Sequence, residues 1–384
     1  MRVPIVDLYA QYLTIKQEID RAIAEVIAES AYIGGRHVNA FEQTWASTLG
    51  VKRCISCANG TDAIYIALRG LRIKHGDEVI TSAHSSISTS ETITQAGGRV
   101  VFCDTDAETF TIDPDDIQRK ITPATVGIIP VHLYGQAANM DAIMAIARRH
   151  NLWVIEDCGQ AHLARYKGRY VGTFGDAATF SFYPDKNFGA YGDAGCVVTN
   201  DDRLAEWITT FARHGGKGDH IMEGINSRMD GLQAAILNAK LPHLPAWTEA
   251  RRYIASRYDE HLHDIGDIII PKVAPDRDHV YHLYVVRTEN RDALRDYLTQ
   301  AGVSTDLNYP KALPFYSAYA HLGYVPSDFP LACFNQSRTL SLPIYPEMTK
   351  EMILHTVKCI GNFFQESQEP DSIHVKVIQF AERC

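Results

Sequence analysis

Short apolar runs recur between residues 50 and 200, at 53–57, 78–81, 99–103, 126–131, 153–155, 177–182 and 195–199. The central runs lack polar alternation, as expected for strands covered on both faces. Between several of them apolar residues fall at helical spacing, as in Ala63, Ala67 and Leu71, and again in Met140, Ile143 and Ile146. Strands alternating with helices through short connections predict a mostly parallel, seven-stranded sheet flanked by helices. After residue 200 the pattern changes. Helices are predicted over 201–211, 229–241 and 248–262, the last bracketed by Pro245 and Pro271. A smaller group follows, with strands at 282–287 and 303–307 around a helix at 291–301, and a closing helix at 348–364. The expectation is a large α/β domain over 1–245 and a smaller C-terminal α+β domain over 246–384. The last 20 residues carry only a weak pattern.

At 384 residues the chain has room for two domains of roughly 100–200 residues each. A composition 46% hydrophobic and 22% charged excludes disordered and fibrous classes. The net charge of −9, with no run of Lys or Arg, argues against a nucleic acid or an anionic membrane as partner. No apolar stretch approaches the roughly 20 residues that span a bilayer. Asp7, Lys16, Glu18 and Asp20 stand where a signal peptide would need its apolar segment, so a cytoplasmic location is expected. Eight cysteines spread along the chain do not form a disulfide framework. Cys54 and Cys57 make a C-x-x-C without a second pair at zinc spacing; they read as buried thiols, and no metal is expected.

Four local features carry candidate chemistry. In the segment Ser56-Cys57-Ala58-Asn59-Gly60-Thr61-Asp62-Ala63 a strand runs into a glycine turn and a helix start. The unpaired amides of that start suit a phosphate, although a plain N-cap by Asn59 or Thr61 accounts for the same residues. A second strand ends in Glu156-Asp157, placing a carboxylate at the sheet edge where open α/β proteins bind ligands; a salt bridge or helix cap is the bland alternative. Lys186 follows an apolar strand within Ser181-Phe182-Tyr183-Pro184-Asp185-Lys186-Asn187, hemmed by aromatic residues. A lysine in such surroundings sheds its proton more readily and becomes a nucleophile, whereas in an open loop it is merely solvated. The fourth, Gly224-Ile225-Asn226-Ser227-Arg228-Met229-Asp230, opens a helix with a polar cluster, or simply caps it. Together they supply what pyridoxal 5′-phosphate (PLP) needs: an amine, a carboxylate for the pyridine nitrogen and a phosphate cup.

The segments ISCANGTDA, GIIPVHLYGQ, VIEDCGQAH, FSFYPDKNFGAYGDAG and GINSRMDGLQAAIL, in that order, resemble the DegT/StrS family of sugar aminotransferases, which have the fold-type I PLP architecture. The resemblance implies that Lys186 forms the internal aldimine and shuttles the proton, Asp157 pairs with the pyridine nitrogen, and Gln160 contacts the ring hydroxyl. Gly60, Thr61 and Ser181 would hold the phosphate. Asn226 resembles the phosphate ligand supplied by the partner subunit, which implies a homodimer with shared sites. The implied reaction moves an amino group from L-glutamate, leaving 2-oxoglutarate, to a nucleotide-linked keto-sugar. The cup and the H-L-Y-G-Q segment lean toward a 3-keto hexose. Arg228 and Tyr309 are the expected substrate contacts, with an ion pair to Asp230 the alternative for Arg228.

Departures stand out. Ser86 occupies the position where the family commonly has an aromatic residue stacked on the cofactor ring. His84, two residues away on the same face, is expected to cover the ring in its place. Asp185 stands where glycine is frequent, and Asn308 where histidine is common. Two other functions fit the same fold: a sugar dehydratase, which would replace the lysine by histidine, and a non-catalytic regulatory protein. The presence of Lys186 speaks against the first, and the intact residue set with no DNA-binding signature against the second.

Overall fold

The computed structural model describes residues 1–216 and 218–368. Seven strands, β1 (Arg53–Cys57), β2 (Glu78–Ser82), β3 (Arg99–Cys103), β4 (Thr125–Ile129), β5 (Trp153–Asp157), β6 (Ala177–Ser181) and β7 (Gly195–Thr199), form one sheet in the order β1-β7-β6-β5-β4-β2-β3. Only β7 runs against its neighbours, pairing antiparallel with β1 and β6. Every residue of β2 and β7 is buried, because helices cover both faces. The apolar side chains of the two faces fall into separate clusters, one holding Ile80, Ile128, Val154 and Phe180, the other Val79, Phe102, Ile129 and Ile155. Those pairs alternate along β2, β4 and β5, which is the period-2 geometry of a strand.

Gly195 decides how the cup approaches the sheet. It pairs with Cys57 on one side and Ser181 on the other. A Cβ there would stand 2.3 Å from the Asn59 carbonyl oxygen. Glycine therefore lets the turn after β1 cross the end of β7 and reach β6.

A second lobe is built on β8 (Tyr284–Arg287) and β9 (Thr339–Leu342), paired antiparallel and packed with the Arg291–Gln300 and Lys350–Gln368 helices. Residues 303–307, expected as a strand, make only isolated bridges, Val303 to Val3 and Asp306 to Ser341. The partner of β8 is β9 instead, which the sequence pattern did not mark. The apolar clusters do not divide at residue 245. Val3 belongs to the core of the C-terminal lobe, while Leu313, Tyr319 and Phe329 pack with the large sheet. The Leu244–Leu262 helix joins the lobes, with Trp247 in one core and Ile254, Tyr258 and Leu262 in the other. On it Arg251 is buried and its Nη1 donates to the carbonyls of Tyr281, His282 and Ile344 at 3.2, 3.4 and 2.8 Å. The guanidinium thus ties the joining helix to the C-terminal lobe through backbone acceptors. Among the described residues no helix is long and apolar enough to cross a membrane.

His84, His162 and His279 are among the histidines buried in the neutral form. Burial pushes His84 down to about 4, and burial with a nearby cation pushes His162 and His279 down to about 3, the cations being Lys186 and Arg252 respectively. The unfolded chain takes up these protons near pH 6.5 and the folded one does not. Their stabilisation is therefore full above about pH 6.5 and is lost as pH falls towards 4 and 3, at about 1.4 kcal/mol per pH unit for each. His162 sits among Trp45, Phe180, Phe182 and Phe188. His162→Phe is expected to remove about 1.4 kcal/mol per pH unit of the acid-side slope, read from urea unfolding between pH 6 and 4. An unchanged slope would show that the ring is protonated in the fold.

Candidate active site

The C-terminal ends of β1, β2, β5 and β6 face the same edge of the sheet, and the segments leaving them enclose a cavity of about 540 Å³. This brings together residues 60, 86, 157, 181 and 186, which lie far apart in sequence.

The turn after β1 leads into the Gly60–Gly70 helix, where the Asn59 side chain accepts from the Asp62 amide at 2.8 Å and so caps it. The cap and the cup coexist. Gly60 and Thr61 line the cavity, and first-turn amides have no partner within a helix. Gly60 packs directly on β6, where a Cβ would lie 2.5 Å from Ser181 Cβ. That close approach puts the Ser181 hydroxyl beside the helix start, forming a small anion cradle of backbone and hydroxyl groups. Asp62 would oppose an anion, but its carboxylate accepts from Ser227 Oγ at 2.5 Å, and Ser227 in turn accepts from the Ala58 amide at 3.1 Å.

Asp157 ends β5, half-buried. Thr89 Oγ1 donates to its Oδ2 at 2.7 Å and the Gly159 amide to its Oδ1 at 3.0 Å, so both oxygens are held. Its neighbour Glu156 is buried and does different work. Its Oε2 meets His132 Nε2 at 3.0 Å and the Gly172 amide, while Oε1 takes the amides of Phe174 and Gly175. Burial works to raise Glu156, yet these donors hold it below the usual carboxylate range. His132 Nδ1 accepts from the Ala138 amide, so Nε2 carries the proton. His132, Glu156 and the buried Cys158 lie close enough to suggest a metal, but the imidazole and carboxylate are committed to hydrogen bonds that tie two loops to β5. Cys54 and Cys57 are buried, and burial pushes the Cys57 thiol well up, away from the thiolate a metal requires.

Gln160 links the cavity to the second lobe. Its Oε1 accepts from the Tyr134 amide at 2.7 Å and its Nε2 donates to the Tyr309 hydroxyl at 2.8 Å. Lys186 projects into the cavity from the turn after β6, its side chain 17% exposed.

His84 does not lie where it was expected. It is fully buried, with Nε2 2.8 Å from the Tyr134 hydroxyl, and its ring packs against Phe110, Tyr134 and Tyr309 behind the wall. After Ser82 the chain leaves β2, so the strand alternation that put residues 84 and 86 on one face no longer applies. Ser85 and Ser86 form the wall, and Ser86 also caps the Ile87–Gln95 helix. Asn226 and Arg228 are exposed and do not line the cavity of their own chain. Among the described residues Arg228 has no ion pair, with Asp230 or otherwise. Thr89 and His282 were not anticipated, and Tyr183 and Ser227 stood within candidate motifs without a site role of their own. Thr89 had a local signal, standing in the segment that carries Ser86.

A larger cavity, about 830 Å³, lies beside the Lys16–Glu29 and Gly231–Lys240 helices and holds none of the candidate site residues. The smaller one has the donor set that a phosphorylated pyridine aldehyde requires. The Gly60–Ser181 contact leaves an amide-lined cradle, Asp157 presents a fixed carboxylate, and Lys186 supplies a primary amine.

The chain matches the model of the DegT/DnrJ/EryC1/StrS aminotransferase family over residues 13–361. It is 45% identical over 369 residues to the pleiotropic regulatory protein of Geobacillus stearothermophilus, covering 95% of this chain and 99% of that one. It is 39% identical over 361 residues to the dTDP-3-amino-3,4,6-trideoxy-alpha-D-glucose transaminase of Streptomyces venezuelae, covering 94% and 95%. The crystal structure of DesV from S. venezuelae, in complex with a ketimine intermediate, superposes with a TM-score of 0.93 at 38% identity, covering 96% of this chain and all of that one.

Proposed function

The chain belongs to the DegT/DnrJ/EryC1/StrS family of PLP-dependent aminotransferases, and from that premise we propose that it aminates a nucleotide-linked 3-keto hexose with L-glutamate as donor. The observation that carries this reading is the convergence of Lys186, Asp157, Ser181 and the Gly60–Thr61 helix start on one cavity. A relative named as a 3-amino-sugar transaminase supports the choice of position.

When bound, PLP supplies an aldehyde that carries the amino group between donor and acceptor and a ring that withdraws electrons from the carbon losing its proton. The residues of the chain do the rest. The Gly60 and Thr61 amides and the Ser181 hydroxyl hold the phosphate. Asp157, fixed by Thr89 and Gly159, would present its carboxylate to the pyridine nitrogen. Gln160, held by the Tyr134 amide and the Tyr309 hydroxyl, would meet the ring hydroxyl, Tyr309 would face the substrate, and Lys186 Nζ would move the proton. Glutamate leaves as 2-oxoglutarate in the first half-reaction, and the sugar gains the nitrogen in the second.

Asn226 and Arg228 stand exposed beside the buried Ser227. We assign them to the cavity of a second copy, with Asn226 on the phosphate and Arg228 on a substrate anion through its two-pronged guanidinium. The working unit is then a homodimer with shared sites, acting in the cytoplasm. A regulatory reading, suggested by the name of one relative, leaves the convergent lysine and carboxylate without a purpose.

Adding glutamate to the purified, cofactor-loaded protein is expected to discharge its yellow colour. Incubation with a panel of keto-sugar nucleotides, followed by mass spectrometry, is expected to show amination of a 3-keto member. Persistence of the colour would exclude transamination from glutamate, and amination confined to 4-keto sugars would exclude the assigned position.

A further inference from the structure

Lys186 stands between two spaces. Behind it, away from the main cavity, is a polar chamber of about 100 Å³ whose wall includes Asp185, Arg251, His282 and Asp306. Gln160, Lys186 and Tyr309 line both spaces. The lysine Nζ lies 3.4 Å from His282 Nε2 and 3.7 Å from Asp185 Oδ1. Asp185 Oδ1 is buried and has no hydrogen bond, and His282 Nδ1 is in the same condition. Burial drives His282 well below the usual histidine range, and the cations of Lys186 and Arg251 push it the same way. It is therefore a neutral ring, which in the Nδ1–H tautomer offers a lone pair at Nε2 to the lysine.

We propose that this chamber is a holding site for the ε-ammonium of Lys186 whenever the amine is not engaged in the main cavity, with Asp185 as counter-charge and His282 as acceptor. The inference rests on the role given to Lys186 above. An amine left loose in the main cavity would occupy the place of the incoming amino group. Withdrawing it by a side-chain rotation clears that place, and the chamber has room for an ammonium with a water or two, at about 30 Å³ each. Asp185 and His282 act through the lysine and are positioning residues.

The test is chemical labelling of the cofactor-free protein at pH 7.5 with trinitrobenzenesulfonate, quantified at Lys186 by peptide mapping. A carboxylate beside an ammonium favours the charged, unreactive form. Asp185→Asn and Asp185→Gly are each expected to raise the labelling rate at Lys186 by about five-fold, the size of a partly exposed ion pair. His282→Leu is expected to raise it about three-fold through loss of the acceptor. Asp306→Asn, on the same wall without contact to the amine, should leave it unchanged. Lys240, whose amine is buried against the Gly189 carbonyl at 2.8 Å, serves as internal control. A rate at Lys186 within two-fold of the parent protein in both Asp185 variants, or a rise shared equally by Lys240, overturns the proposal. The labelling needs no cofactor or substrate, so its failure is separable from failure of the glutamate assay.

Discussion

Changing Lys186 to alanine is expected to lower the rate of amino transfer by about 10,000-fold, the upper range for loss of a positioned acid–base group. The protein should remain folded, because the side chain fills no apolar core and its contacts are polar ones to Asp185 and His282. The measurement is a single turnover with glutamate at saturating cofactor, followed by absorbance. Lys186→Arg discriminates between charge and proton transfer. A guanidinium keeps the positive charge but stays protonated at any working pH, so it cannot accept the proton. Both variants are expected to fail alike. Activity of either within ten-fold of the parent would remove the lysine from the chemistry.

Asp157→Asn should cost roughly a hundred- to a thousand-fold in kcat, as expected when a preorganised charge is removed from a reacting centre. The substitution keeps the size of the side chain and an acceptor oxygen for the Gly159 amide. Thr89 can turn its hydroxyl to accept from the new amide. What disappears is the negative charge that favours a protonated pyridine nitrogen. KM for the sugar nucleotide should change little, because that substrate is bound by other groups. Thr89→Val is a milder probe of the same carboxylate, since Gly159 still holds its other oxygen. An Asp157→Asn enzyme with near-normal kcat and raised KM would place Asp157 in substrate binding.

Much of this site was readable along the chain because its residues sit at the junctions of short motifs with strong local physics. A strand entering a glycine turn and a helix start offers unpaired amides to an anion, although a plain cap uses the same residues. A carboxylate ending an apolar strand, and a lysine just after another, mark the functional edge of a parallel sheet. The failures have equally local causes. His84 was placed by strand alternation, but β2 ends at Ser82, and the backbone beyond it turns the ring into a buried aromatic group. The strand expected at 303–307 has the right composition, yet its backbone meets Val3 and Ser341 at single bridges only. His282 gave no signal as a site residue and Ser227 only that of a helix cap, since their partners, Lys186 and Asp62, lie 96 and 165 residues away.

The order of apolar and polar residues was by itself enough to place the seven strands and several of the helices between them, and to mark the segments of Gly60, Asp157 and Lys186 as candidates, whose roles as cup, carboxylate and amine came from the family resemblance. Each depends on neighbours within about ten residues, and hydrophobic period and turn chemistry act over that distance. Only the tertiary structure decided which side chains meet. It set β7 antiparallel between β1 and β6, so that Gly60 rests on Ser181. It placed Val3 in the distant lobe, buried Arg251 against backbone carbonyls of that lobe, and gave Lys186 a second space behind it. Those outcomes follow from strand order and close packing, which couple residues a hundred or more positions apart and leave no period in the sequence.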